Sequence, residues 1–235
     1  TLRFHTQTAG CSLTAQQPEI NIVRVAIQAM AGVLGGTQSL HTDSMDEALA
    51  LPSEKAVQIA LRTQQIIAHE SGVANVADPL GGSYYLEWLT DDMERQSRDY
   101  FDRIESLGGV VSAIEKGFFQ KEIAAAAYKY QQEIDNNERT VVGVNEFTSN
   151  EPVEIPILEM DPEGFERQCR RLKSLRSSRT KARHEASLTA IEKAAEGEEN
   201  LMPHFIEAAK AKATLGEMCD VLRGVFGEYR EGSDF

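Results

Sequence analysis

The chain has 235 residues and a mass of 26.0 kDa, with 41% apolar residues, 26% charged residues and a formal charge of −13. That balance fits a globular protein of one large or two small domains, and 37 acidic against 24 basic side chains argue against nucleic-acid binding. No apolar run reaches the roughly 20 residues that cross a bilayer, so no membrane partner is expected. Three distant cysteines exclude a disulfide scaffold and fit a reducing, cytoplasmic compartment.

The chain opens with Thr1-Leu2-Arg3-Phe4-His5-Thr6-Gln7, without Met, and already alternates like a strand. A cut through a longer protein is expected, with processing of a precursor as the alternative. Arg3 to Thr8 reads as a short strand that Gly10 breaks. Thr14 with Gln17 forms a candidate capping box, and Pro18 suits a first helical turn. Val23, Ile27, Met30, Ala31 and Leu34 then recur at helical spacing up to Gly35-Gly36. Residues 37–42, TQSLHT, read as a second strand, and 53–69 as a second helix. Strand, helix, strand, helix is the pattern of a parallel α/β sheet.

Both strands are unusually polar. Central parallel strands are normally runs of Val, Ile and Leu, because both faces are buried. The pattern leaves two readings open: an edge strand in water, or a barrel strand whose polar side chains face a ligand-filled lumen. Beyond the loop Asp78-Pro79-Leu80-Gly81-Gly82 the chain is predicted to be mostly helical. Met93, Tyr100, Phe101, Ile104 and Leu107 form one stripe; Ile123, Ala126, Ala127, Tyr130 and Ile134 form another. Val141–Val144 suits a short strand, and prolines 152, 156 and 162 mark a connection. Further stripes follow at Phe165, Cys169, Leu172 and Leu175, and at Leu188, Ile191 and Ala195. Thr214 and Glu217 make a capping box for a last helix.

Familiar catalytic motifs are missing. The sequence has no HxxxH, HExxH or CxxC pair and no GxSxG elbow. Cys11 is expected to be a small buried thiol, and His184, in a basic stretch, to be solvated. The eight basic residues between Arg167 and Arg183 read as a solvated helix face, or as a dock for an acidic partner. The best local signal lies where the strands end. Gln7 and Gly10 mark one end; His41, Thr42, Asp43 and Glu47 mark the other, where parallel α/β folds hold ligands. Neutral His and Gln donate to carbonyls, and carboxylates accept from hydroxyls, so a polar small-molecule site is expected.

Several long motifs occur in a specific order. Residues 3–14, RFHTQTAGCSLT, resemble the seventh-strand segment of the methylmalonyl-CoA mutase family. Residues 36–42, GTQSLHT, with 46–52, DEALALP, resemble its eighth strand and following loop. Glu70-Ser71-Gly72, residues 78–84, Val142-Gly143-Val144-Asn145 and Val225-Phe226-Gly227 continue the likeness over almost the whole chain. The resemblance implies α/β architecture: the last two strands of a (β/α)8 TIM barrel, followed by a mainly helical extension. It divides the chain into residues 1–90 for the last barrel units, 91–149 for a helical continuation and 150–235 for a helical extension.

The function implied is an adenosylcobalamin-dependent, radical carbon-skeleton rearrangement of an acyl-CoA. (R)-Methylmalonyl-CoA to succinyl-CoA is the expected reaction; isobutyryl-CoA and 2-hydroxyisobutyryl-CoA are the nearest rivals. By resemblance, Arg3, His5, Gln7, Gln38 and Ser39 are substrate- and CoA-binding positions. Gly10, Asp43, Glu47 and Ala50 are cofactor-binding positions. Cys11 stands where many relatives have Trp, and Asp43 where many have Asn. No DxHxxG motif is present, so the axial histidine for cobalt is expected on a cobalamin-binding small subunit or domain. An upstream part of the barrel is expected as a further partner, and this chain is expected to be inactive alone. The rival from another class is a non-catalytic helical interaction module.

Overall fold

A computed structural model describes residues 2–230. The described chain is mostly helical with one small parallel sheet, and it separates into two compact units. One holds the residues up to Glu159; the other begins at Met160.

In the first unit, β1 (His5–Gln7) and β2 (Ser39–His41) pair in parallel, with His5 opposite Ser39, Thr6 opposite Leu40 and Gln7 opposite His41. Backbone bonds from Gln38 N–H to the Phe4 carbonyl and from Thr8 N–H to the His41 carbonyl, both 3.2 Å, continue the pairing at each end. The strands are shorter than the sequence pattern suggests, although the ladder spans most of the same residues. Side chains alternate across the pleat, so Thr6 and Leu40 point one way and His5, Gln7, Ser39 and His41 the other.

The helix α1 (Asn21–Leu34) covers the Thr6 and Leu40 side. A Cβ at Gly32 would lie 3.1 Å from Thr6 Cγ2, so the missing side chain lets α1 approach the sheet closely. The α1 start differs from the expected Thr14 box. Gln17 takes a left-handed φ of 48°, Pro18–Ile20 form a 3-10 turn, and Asn21 opens the helix. The Thr14 hydroxyl instead donates to the Gln16 carbonyl at 2.8 Å. Asn21 is fully buried; its Nδ2 donates to the carbonyls of Thr14 and Met45, tying the first loop to the segment after β2.

Ser53 caps α2 (Glu54–Glu70) by accepting from Ala56 N–H. Ala56, Ala60, Thr63 and Ile67 make its buried stripe. Gln64 Nε2 donates to the Leu40 carbonyl and the Thr42 hydroxyl, which fixes α2 beside the end of β2.

Three further helices follow: α3 (Tyr84–Ser106), α4 (Val110–Glu115) and α5 (Phe118–Asp135). Arg103 binds Glu122 at 2.6 Å and lies over the Phe118 ring at 4.8 Å, which holds α3 against α5. Neither α3 nor α5 buries a residue within the described chain; Tyr84 is 96% exposed, and Trp88, Phe101 and Ile123 are exposed too. The expected strand at Val141–Val144 is a single bridge between Val142 and Glu146. Asn145 organises that loop: it accepts from Val141 N–H and donates to the carbonyls of Ile134 and Arg139.

The second unit contains α6 (Gly164–Ser177), α7 (Lys181–Ala195), α8 (Leu201–Lys210) and α9 (Leu215–Phe226). Ile191, Ala194, Ala195, Ala208 and Ala211 are its buried apolar residues, and α7 packs on α8 and α9. The capping box expected at Thr214 and Glu217 is present. His184 is buried rather than solvated, because α9 brings Glu217 Oε2 to 3.3 Å from its Nε2.

Glu217 also accepts from both guanidinium nitrogens of Arg179, at 2.8 and 2.9 Å, with Arg176 3.6 Å away. The Arg179 bonds hold the Glu217 carboxyl well below the usual range against the opposing effect of burial; the Thr214 amide and hydroxyl assist. The remaining basic run mostly faces solvent, in local pairs such as Arg167–Asp161 and Lys181–Glu185. No described helix is long and apolar enough to cross a membrane.

Candidate functional site

The polar face of the two-stranded sheet carries the candidate site. His5 Nδ1 and Ser39 Oγ are 2.6 Å apart, directly across the ladder. The Gln38 side-chain carbonyl accepts from Phe4 N–H at 2.7 Å, and its amide donates to Gly36, so Gln38 seals the start of the sheet. Arg3 precedes β1 and is exposed. His5, Gln7, Gln38, Ser39 and His41 are exposed as well, on a face that α1 does not cover. A whole polar row of the two parallel strands is thus exposed to solvent, with His5 and Ser39 already paired across the ladder.

At the far end of the strands, Asp43 gathers both segments. Its side chain is only 1% exposed. Oδ1 accepts from Gln7 Nε2 at 2.9 Å and lies 3.5 Å from His41 Nε2. Oδ2 accepts from the Thr8 hydroxyl at 2.8 Å, while the Asp43 amide donates back to that hydroxyl at 2.9 Å. Neither oxygen is left without a partner. The pattern of residue types marked Asp43 as polar and near the strand end, but not as the hub of a network, because its donors come from 35 and 36 residues earlier.

Gly10 lies in a 3-10 turn, Gly10–Ser12, held by Gln28, which accepts from Ala9 N–H at 2.6 Å and donates to Ser12 Oγ at 2.7 Å. A Cβ at Gly10 would meet Glu47 Cγ at 3.4 Å and Asp43 Oδ2 at 3.8 Å. Gly10, Asp43 and Glu47 are thus brought together, and Glu47 is exposed there. Ala50 is half-buried, its N–H bonded to the Asp46 carbonyl at 3.0 Å.

Asp46, not singled out by the sequence reading, pins the same loop: it is fully buried, and its Oδ2 accepts from Ser53 N–H at 2.8 Å. Burial pushes its carboxyl up, yet hydrogen bonding led by the Ser53 amide outweighs burial and holds it below its ordinary value. Cys11 is exposed rather than buried, at the turn beside this site. Among the described residues no group of three or more His, Cys, Asp or Glu is placed to hold a metal ion.

The fold is a mostly helical α/β protein with a polar face on its parallel strands, and comparison with known proteins defines the class. The methylmalonyl-CoA mutase family model matches residues 1–228. A 2-hydroxyisobutanoyl-CoA mutase large subunit from Aquincola tertiaricarbonis is 47% identical over 98% of this chain and 41% of its own length. Human mitochondrial methylmalonyl-CoA mutase is 44% identical over 97% of this chain and 31% of its own, and the Escherichia coli methylmalonyl-CoA mutase 42% identical over 97% and 32%. The chain belongs to the methylmalonyl-CoA mutase family. It spans about a third to two fifths of the length of these relatives.

Proposed function

We propose that this chain forms part of the large subunit of an adenosylcobalamin-dependent mutase that rearranges the carbon skeleton of a short branched acyl-CoA. The observation that carries the reading is the exposed polar row His5, Gln7, Ser39 and His41 on the sheet face opposite α1. A solvent-facing edge gives no reason for the row to end in a network that immobilises Gln7. A lumen that receives a polar ligand does. In this reading β1 and β2 are the last two strands of a TIM barrel, and the upstream part of the protein supplies the others.

The residues at the strand ends suit the cofactor. Glu47 offers an exposed carboxylate that can accept from ribose hydroxyls. Gly10, lacking a side chain, keeps the space beside it open, and Ala50 adds a small neighbour on the same loop. Adenosylcobalamin, when bound, supplies radical chemistry that no side chain here provides. Arg3, His5, Gln7, Gln38 and Ser39 bind and orient the acyl-CoA, and Asp43 and Asp46 hold the two loops in place. The axial histidine is assigned to a cobalamin-binding domain or subunit, in keeping with a relative named as a large subunit. A cytoplasmic location goes with this reading, supported by three free cysteines far apart in the chain.

Two acyl groups fit the class: methylmalonyl, expected from the sequence, and 2-hydroxyisobutanoyl, named in one relative. The complete large chain with its cobalamin-binding partner, assayed with both esters, is expected to isomerise at least one. Failure to convert either of these esters or isobutyryl-CoA would refute the proposal. A helical interaction module without catalysis would then be the surviving alternative.

A further inference from the structure

We propose that Asp43 is a positioning residue that fixes the polarity of the Gln7 amide, so that the site selects an acyl group able to donate a hydrogen bond. The inference rests on the mutase reading above and chooses between its two acyl groups. Both Asp43 oxygens accept: Oδ2 from Thr8 Oγ1 at 2.8 Å and Oδ1 from Gln7 Nε2 at 2.9 Å. The Thr8 hydroxyl has one proton and gives it to Asp43, since it also accepts from the Asp43 amide at 2.9 Å. A carboxylate acting as acceptor at both oxygens leaves Gln7 one orientation: its NH2 faces Asp43.

Gln7 itself is exposed on the ligand face, and its Oε1 accepts from no described residue. The acceptor that Gln7 offers the ligand is therefore its carbonyl oxygen, with the amide nitrogen held toward Asp43. A hydroxyl satisfies it by donating. A carboxylate, which only accepts at neutral pH, leaves it unpaired and faces it with like partial charge. Asparagine at position 43 removes the constraint. Its oxygen can still accept from Thr8, while its own NH2 donates to Gln7 Oε1, which turns the Gln7 NH2 toward the ligand. One oxygen-to-nitrogen exchange behind the site thus inverts the hydrogen-bonding sign in front of it.

The test uses the complete large chain without cofactor and two probes, 2-hydroxyisobutyryl-CoA and methylmalonyl-CoA, with Kd measured by calorimetry. Unmodified protein is expected to favour the hydroxyl ester by about tenfold, in line with the cost of leaving a site's polar group unpaired. Asp43→Asn is expected to move the ratio of the two affinities about tenfold toward methylmalonyl-CoA. Gln7→Met, which keeps Asp43 itself and its bonds to Thr8, is expected to abolish the preference and keeps the test open if Asp43→Asn folds poorly. General damage weakens both esters together and leaves their ratio unchanged. A ratio near one in the unmodified protein, or a ratio unmoved by either substitution, overturns the proposal. Binding of neither ester by the unmodified protein overturns the acyl-CoA reading itself.

Discussion

Two carboxylates, Asp43 in the first unit and Glu217 in the second, sit in similar networks and serve different ends. Asp43 is nearly sealed from water and accepts from the neutral side chains of Gln7 and Thr8. Gln7 in turn stands exposed on the open sheet face. Glu217 accepts from Arg179 and the Thr214 cap and approaches Arg176 and His184, and of these Arg179 and His184 are largely buried. The difference lies in where the donors lead. Through Gln7 the Asp43 network reaches the open sheet face; that of Glu217 closes around α7 and α9. A carboxylate bound by the largely buried Arg179 guanidinium holds helices together, whereas one bound by the neutral donors Gln7 and Thr8 orients an exposed side chain.

Substitutions can break this contrast, the largest expected effect being on the inward hub. Glu217→Ala strands Arg179 and removes the cap partner, and should destabilise the second unit by about 3 kcal/mol in denaturant unfolding. A loss under about 1 kcal/mol would show that the cluster is ornamental to the fold. The same carboxyl predicts a pH dependence. Its pKa is lowered on folding, so its stabilising effect is complete above the ordinary value of 4.5 and is lost progressively as pH falls below it. The stability gap between unmodified protein and Glu217→Gln should therefore narrow between pH 6 and pH 3, on the order of a factor of two or more. A constant gap contradicts the assignment.

Effects at the outward face should be smaller for stability and visible in binding. Glu47→Gln in the complete protein should weaken adenosylcobalamin binding by about tenfold, with the unfolding midpoint unchanged because Glu47 is exposed. Unaltered affinity would remove Glu47 from the site. The smallest effect is expected at the α2 cap: Ser53→Ala should cost about 1 kcal/mol through the lost bond to Ala56 N–H. A neutral result would mean that the Asp46 bond to the Ser53 backbone carries the turn without the cap.

Local chemistry was legible where it depends on neighbours in sequence. Alternation located both strands, Thr214 with Glu217 announced the last helix, and the polar strand ends marked where Gln7, Asp43 and Glu47 meet. Long-range pairing was not legible. Nothing near Asp43 in sequence shows that register sets Gln7 and Thr8 against it, and nothing near His184 shows that α9 returns to bury it. Thr14 had the right spacing for a cap, yet Asn21, bonding to Thr14 and Met45 from the fully buried first position of α1, moved the helix start. The stripes of α3 and α5 have helical spacing but no buried residues among the described chain, which periodicity alone does not reveal.

Hydrogen–deuterium exchange on the complete protein tests the contrast most directly. Addition of an acyl-CoA and adenosylcobalamin should slow exchange at residues 3–10 and 38–50 and leave residues 179–226 unchanged. Unchanged exchange in the first two segments, with ligand bound, would contradict the assignment of the sheet face as the binding site.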